Sequence, residues 1–134
     1  MTLGVRGLVF DEANNAVFLI RHTYVPGWQL PGGGVERGET AAHALARELE
    51  EEGNIVLDGA PALRSLHFNR TSSRRDHVAF YLVTSFRQSG PKRPDREIAE
   101  SGFFALDALP PMTTPATLRR IGEVFHGAKV VEHW

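Results

Sequence analysis

Glu48, Glu51 and Glu52 stand at i, i+3 and i+4 within AAHALARELEEE, a run made mostly of strong helix formers. On a helix over 41–52 these carboxylates share one stripe. The placement is electrostatically poor. Glu48 faces like charges three and four residues on, each pair costing roughly a few tenths of a kcal/mol. Glu50, Glu51 and Glu52 fill the last turn, where the helix dipole favours cations by roughly 0.3–1 kcal/mol each. Arg47 precedes Glu51 in the weaker order for an i,i+4 pair and offsets only part of this. Two readings compete: a solvated acidic face, and a site where a divalent cation removes the repulsion. Ligands made only of oxygen suit a hard ion, Mg²⁺ or Mn²⁺, that keeps several waters and is shared with a substrate phosphate.

The segment ahead of the helix supports the second reading. Gly32-Gly33-Gly34 removes side chains where backbone must pass close to a ligand or adopt strained angles. Just before a helix N-terminus it could offer amides to an anion or carbonyls to a metal. Other glycine motifs fit badly. Gly33 and Gly38 have P-loop spacing, but Glu39 stands where the lysine belongs, and Arg37 occupies the last glycine position of a GxGxxG pattern.

Around this segment the chain reads as strands and two helices. Strands over 5–10 and 16–21 flank the polar DEANN and predict a hairpin. The Pro- and Gly-rich VPGWQLPGGGVERGE predicts loop with at most a short strand over 28–30. Thr40 caps the acidic helix, whose apolar stripe is Ala42, Leu45, Ala46 and Leu49. Gly53-Asn54 supplies residue types that tolerate the left-handed turn ending it. A short strand over 55–57 and longer ones over 62–68 and 77–86 follow, the last two separated by the basic NRTSSRRD. SGPKRPDRE predicts an exposed loop, and a strand follows near 102–105. Thr114-Pro115 opens a second helix that buries Leu118, Ile121 and Phe125 and stops at Gly127. The tail KVVEHW carries no assignment. The expected fold class is α/β, layered around a central sheet.

Composition bounds the rest. With 134 residues, 42% of them hydrophobic, the chain suits a single domain with its own core. The absence of cysteine excludes a disulfide scaffold, an iron–sulfur cluster, a thiolate zinc site and a cysteine nucleophile. Lys and Arg total 15 against 16 Asp and Glu, which argues against a general nucleic-acid-coating protein. No apolar run approaches membrane-spanning length, and MTLGVRGLVFDEA lacks the features of a signal peptide, so a cytoplasmic protein is expected. The histidines show no metal-ligand spacing and are read as structural or exposed.

The spaced run from Gly33 to Ile55 resembles the box of the Nudix hydrolases. That box is glycine, five residues, glutamate, seven residues, then Arg-Glu-apolar-x-Glu-Glu-x-Gly-apolar. Here Gly33, Glu39, Arg47-Glu48-Leu49, Glu51-Glu52 and Ile55 match, and Asn54 replaces the last glycine. Asparagine tolerates positive φ, so the helix stop should survive. The GWQLPGGG approach, ESGFFALDALP and a closing helix are also similar to the family. The resemblance therefore covers nearly the whole chain.

It implies a single Nudix domain over 1–134 with its box at 33–55, folded as an α/β/α sandwich around a mixed sheet. It also implies hydrolysis of a nucleoside diphosphate linked to another group, by water attacking phosphorus with Mg²⁺ or Mn²⁺. By similarity Glu48 and Glu52 are the principal metal ligands. Glu51 joins them directly or through water, and Gly32 adds its main-chain carbonyl. Arg47 orients the carboxylates, and Glu39 holds the loop to the helix. The general base stays open among Glu48, Glu51 and an acid on the later loop, where Glu97 is preferred to Glu100. Arg70, Arg74 and Arg75 are candidates for phosphate, against a solvated turn, and Tyr24 and Trp28 for stacking on a base. The markers that some relatives carry for ADP-ribose or dinucleoside polyphosphates are absent at Asn69, Arg70 and Thr71. The expected partner is a small nucleoside diphosphate derivative, with no stable nucleic-acid complex, no membrane, and a monomer or homodimer. A non-catalytic sensing domain of the same fold is the alternative, and it should have lost box carboxylates. A protein–protein interaction module leaves the glycine segment unexplained.

Overall fold

The computed structural model describes residues 2–70 and 77–134. β1 (Leu3–Asp11) and β2 (Ala16–His22) form the expected hairpin, with Phe10 opposite Val17 and Asp11 opposite Ala16. β3 (Trp28–Gln29) pairs with the far end of β2. β4 is Gly32–Gly34, so the glycine run is a strand rather than the loop its composition predicts. Backbone pairing with β1, Gly4 opposite Gly34 and Arg6 opposite Gly32, outweighs glycine's poor strand propensity.

α1 (Ala41–Gly53) begins where Thr40 accepts the His43 N–H and ends where Asn54 takes a left-handed conformation, φ 55°. Asn54 thus performs the stop expected of it. Gly53 serves close packing instead: a Cβ there would lie 2.6 Å from Phe18 Cζ. The buried residues of α1 are Ala44, Leu45, Leu49, Glu52 and Gly53, with Ala42 exposed, so the apolar stripe is rotated from the expected one.

β5 (Ile55–Leu57) pairs with β8 (Phe86–Gln88) in a small separate sheet. The expected strand over 77–86 therefore splits into β7 (His77–Val83) and β8. β6 (Ala62–Phe68) pairs antiparallel with β7, and β7 runs parallel to β1, which makes the main sheet mixed. β9 (Ile98–Ala105) is longer than expected and lies along β2. Strand order through the site is β4-β1-β7-β6.

Side chains alternate across this sheet, and each face has its own core. Val5, Val9, Phe18, Ala79 and Tyr81 pack under α1, while Leu8, Val17, Leu19, Phe80 and Trp28 pack under α2 (Pro115–Phe125). α2 opens on Thr114 with Pro115 at its start, as expected. Leu118 is nevertheless 48% exposed, and the buried positions are Thr117, Arg120 and Ile121. The tail that carried no assignment pairs with β6: Phe68 N–H donates to the Glu132 carbonyl, and Trp134 N–H to that of Phe68. No helix among the described residues is long and apolar enough to cross a membrane.

Candidate active site

α1 and β4 meet at the edge of the sheet, and the acidic residues divide there by depth. Glu52 is only 5% exposed, and its Oε1 accepts the Gly32 N–H at 2.8 Å. Burial pushes its carboxyl up to about 8, with the Glu48 charge adding and Arg6 opposing. Glu48 is half-buried and is also raised, chiefly by desolvation. It lies against Gly33, where a Cβ would stand 2.6 Å from Glu48 Cδ. Glycine is required at this position by the carboxylate, not by backbone angles.

Arg47 organises the surroundings. Its Nε and Nη2 donate to the two oxygens of Glu39 at 2.8 and 2.9 Å, and its Nη1 donates to Glu48 Oε1 at 2.9 Å. Nη2 also donates to the Gly34 carbonyl at 3.2 Å, so one guanidinium joins helix, strand and the intervening loop. These bonds hold Glu39 down at about 2. Among the described residues, the side chains of Glu48 and Glu52 accept hydrogen bonds at Oε1 alone, which leaves each Oε2 available.

Glu51 stands apart from this pair. Its side chain is 60% exposed, 3.8 Å from Arg47 Nη1, on an outer surface with His43 and Glu50. Accordingly no group of three or more acidic or histidine side chains is gathered for a metal among the described residues. Glu97 is exposed, and its charge reaches both Glu52 and His22. Glu100 is committed to an ion pair with Arg21.

On the α2 side of β4 a cleft of about 380 Å³ crosses the sheet, lined by Gly4, Val5, Arg6, the glycine strand, His22, Tyr24, Asn69, Val78 and Trp134. Tyr24, at 72% exposure, is therefore placed where a substrate could meet it. Trp28 is buried against Phe104 instead. Arg70 faces a neighbouring cavity of about 600 Å³, where Nη2 is 2.9 Å from His133 Nε2. Arg74 and Arg75 lie outside the described residues.

Arg6, His22, Asn69 and Trp134 are cleft residues that sequence reasoning missed. Arg6 donates to the Leu30 carbonyl at 2.8 Å, and burial lowers its pKa against the pull of Glu52 and Glu48. A lone arginine within an apolar strand was the available signal. His22, read as structural or exposed, lines the cleft, and burial followed by the Arg6 charge keeps its imidazole below the usual range against the opposing pull of the Glu97 backbone and carboxylate.

Comparison with known proteins identifies the family. YjhB of Bacillus subtilis is 29% identical over 120 residues, 85% of this chain and 57% of that protein. The ADP-ribose pyrophosphatase of Methanocaldococcus jannaschii is 32% identical over 114 residues, 81% of this chain and 64% of its own length. The chain thus spans about six-tenths of the length of these relatives. The crystal structure of the MutT NUDIX hydrolase from Burkholderia pseudomallei superposes with a TM-score of 0.72 at 30% identity, covering 87% of this chain and 92% of that one. The NUDIX domain profile matches residues 1–124, and with it the chain belongs to the Nudix family.

Proposed function

We propose that the protein is a metal-dependent pyrophosphohydrolase, one Nudix domain over 1–134, that cleaves a phosphoanhydride of a nucleoside diphosphate linked to another group. Glu52 carries this reading. A carboxylate buried so deeply is disfavoured as an anion unless positive charge compensates it, and Arg6 is a cation already desolvated itself. The donors suit a hard divalent ion: oxygen atoms only, with Oε2 of Glu48 and of Glu52 uncommitted among the described residues. Nudix proteins generally use a divalent metal.

Glu48 and Glu52 would hold Mg²⁺ or Mn²⁺ with the Gly32 carbonyl, and Glu51, at the rim, would act through water. Such an ion, when bound, neutralises phosphate charge and acidifies water. Arg47 keeps Glu48 oriented through the bonds described above. Arg6 faces the cleft beside the acidic pair and offers charge to a phosphate. Tyr24 flanks the nucleoside, and Arg70 extends the basic surface beyond the cleft. The water oxygen forms a bond to phosphorus, the bond to the bridging oxygen breaks, and that oxygen leaves on the other phosphate. The water proton passes to a carboxylate among Glu48, Glu51 and Glu97. Glu97 is preferred because no ion pair occupies it among the described residues.

Turnover of ADP-ribose, nucleoside diphosphate sugars, dinucleoside polyphosphates and nucleoside triphosphates with Mg²⁺ or Mn²⁺ tests the reading. Glu52→Gln is expected to lower the best activity on the order of 100-fold or more with an unchanged circular dichroism spectrum. Wild-type-like turnover in that variant contradicts it.

A further inference from the structure

Arg120 heads the fully buried side chains by volume, and nothing in the proposed chemistry uses it. It lies on α2, whose core is separate from the one under the acidic helix. Its Nε is 2.7 Å from Glu123 Oε1, with the two side chains 0% and 5% exposed. Its Nη atoms donate to the main-chain oxygens of His133 and Trp134 at 3.2–3.4 Å, and the guanidinium stands 4.9 Å from the centre of the Trp134 ring. Glu123 Oε2 accepts the Val131 N–H at 3.1 Å, and neighbouring Arg119 donates to the Trp134 oxygen at 2.6 and 3.2 Å.

A buried ion pair of this kind adds little stability over two apolar side chains; what it can fix is position. Here it fixes the segment 131–134, and with it one ring. Trp134 packs on His67 and Phe80, lines the cleft that holds Arg6 and the glycine strand, and also borders the second cavity. The order β4-β1-β7-β6-tail puts its backbone four strand spacings from the glycine strand, about 19 Å. Trp134 and the glycine strand thus line one cleft, and the acidic pair, which lies against Gly32 and Gly33, stands behind that strand rather than in the cleft.

We propose that Trp134 is a specificity-determining residue against which the nucleobase of the substrate packs, and that the Arg120–Glu123 pair is a positioning device that holds it there. This rests on the cleft being the substrate site proposed above. A flat, fixed ring with an apolar face suits a planar aromatic group at the end remote from the phosphates. Substrates without a base lose that contact.

The test is spectroscopic and needs no turnover. Trp28→Phe leaves Trp134 as the single tryptophan, and metal-free protein is titrated with AMP and with ribose 5-phosphate, which lacks the base. AMP is expected to change Trp134 emission saturably, and ribose 5-phosphate is not. Adding Arg120→Met and Glu123→Leu together strands neither charge. This should keep the melting temperature within a few degrees, increase acrylamide quenching of Trp134 and weaken AMP about ten-fold, while calorimetric binding of ribose 5-phosphate stays unchanged. Equal responses to AMP and ribose 5-phosphate, no response to AMP, or unaltered AMP affinity in the folded double replacement would overturn the proposal. If the wild type hydrolyses no phosphoanhydride while AMP still perturbs Trp134, the hydrolase reading fails and the assignment of Trp134 stands.

Discussion

Glu52 concentrates the chemistry of the site in one titration. Its carboxyl is raised from 4.5 to about 8 in the folded protein, so between those values the folded chain holds a proton that the unfolded chain releases. The associated stability is present below about pH 4.5 and is lost as pH rises through about 8, on the order of a few kcal/mol. In EDTA, the melting temperature of wild type should therefore fall relative to Glu52→Gln across that window, and the two should converge near its acid end. Taking the difference removes the contribution of His22 and His67, and parallel profiles would contradict the burial argument. Gly33 gives a second prediction. Gly33→Ala places a methyl group 2.6 Å from Glu48 Cδ, so it should displace that carboxylate and cut turnover at least about ten-fold while the chain still folds. Gly32→Ala differs, because its Cβ would lie 2.9 Å from the Arg6 Cα, a backbone neighbour that cannot swing aside. The spacing of Glu48 and Glu52 was legible in the sequence. Their unequal depth was not, because identical residues one turn apart are sorted by the sheet edge they meet.

At the scale of elements, α1 was readable because Thr40, a run of helix formers and Asn54 agree on its limits. The rotation of its buried face was not, since Ala44 rather than Ala42 fits beneath the glycine strand and β1. α2 misleads more strongly. Of the expected stripe, Ile121 is buried and Phe125 packs on Phe10, but Leu118 is exposed and the helix turns Thr117 and Arg120 inward, where Glu123 and the tail supply partners for the charge. Ile121→Ala is therefore expected to cost about 2–4 kcal/mol, and Leu118→Ala under about 1, in denaturant melts. Equal losses would contradict the observed rotation. β4 was hidden for a related reason: three glycines have no strand propensity, and only the β1 backbone beside them reveals the pairing.

Over the whole molecule, the family was legible because its box is contiguous, whereas the cleft is assembled from β1, the end of β2, the end of β6 and the tail. Residues scattered so widely acquire a common purpose only when the sheet brings β4, β1, β7 and β6 side by side. The helix carrying the carboxylates packs on one side of the glycine strand, and that strand also lines the cleft, with no side chain of its own between the two. That arrangement makes ion binding the central claim. Mn²⁺ titration at pH 7.5, followed by loss of the free-ion electron paramagnetic resonance signal with and without ADP-ribose, addresses it most directly. Wild type is predicted to bind the ion with release of a proton, and Glu52→Gln to bind it on the order of 100-fold more weakly. Matching affinities in the two proteins would contradict the account.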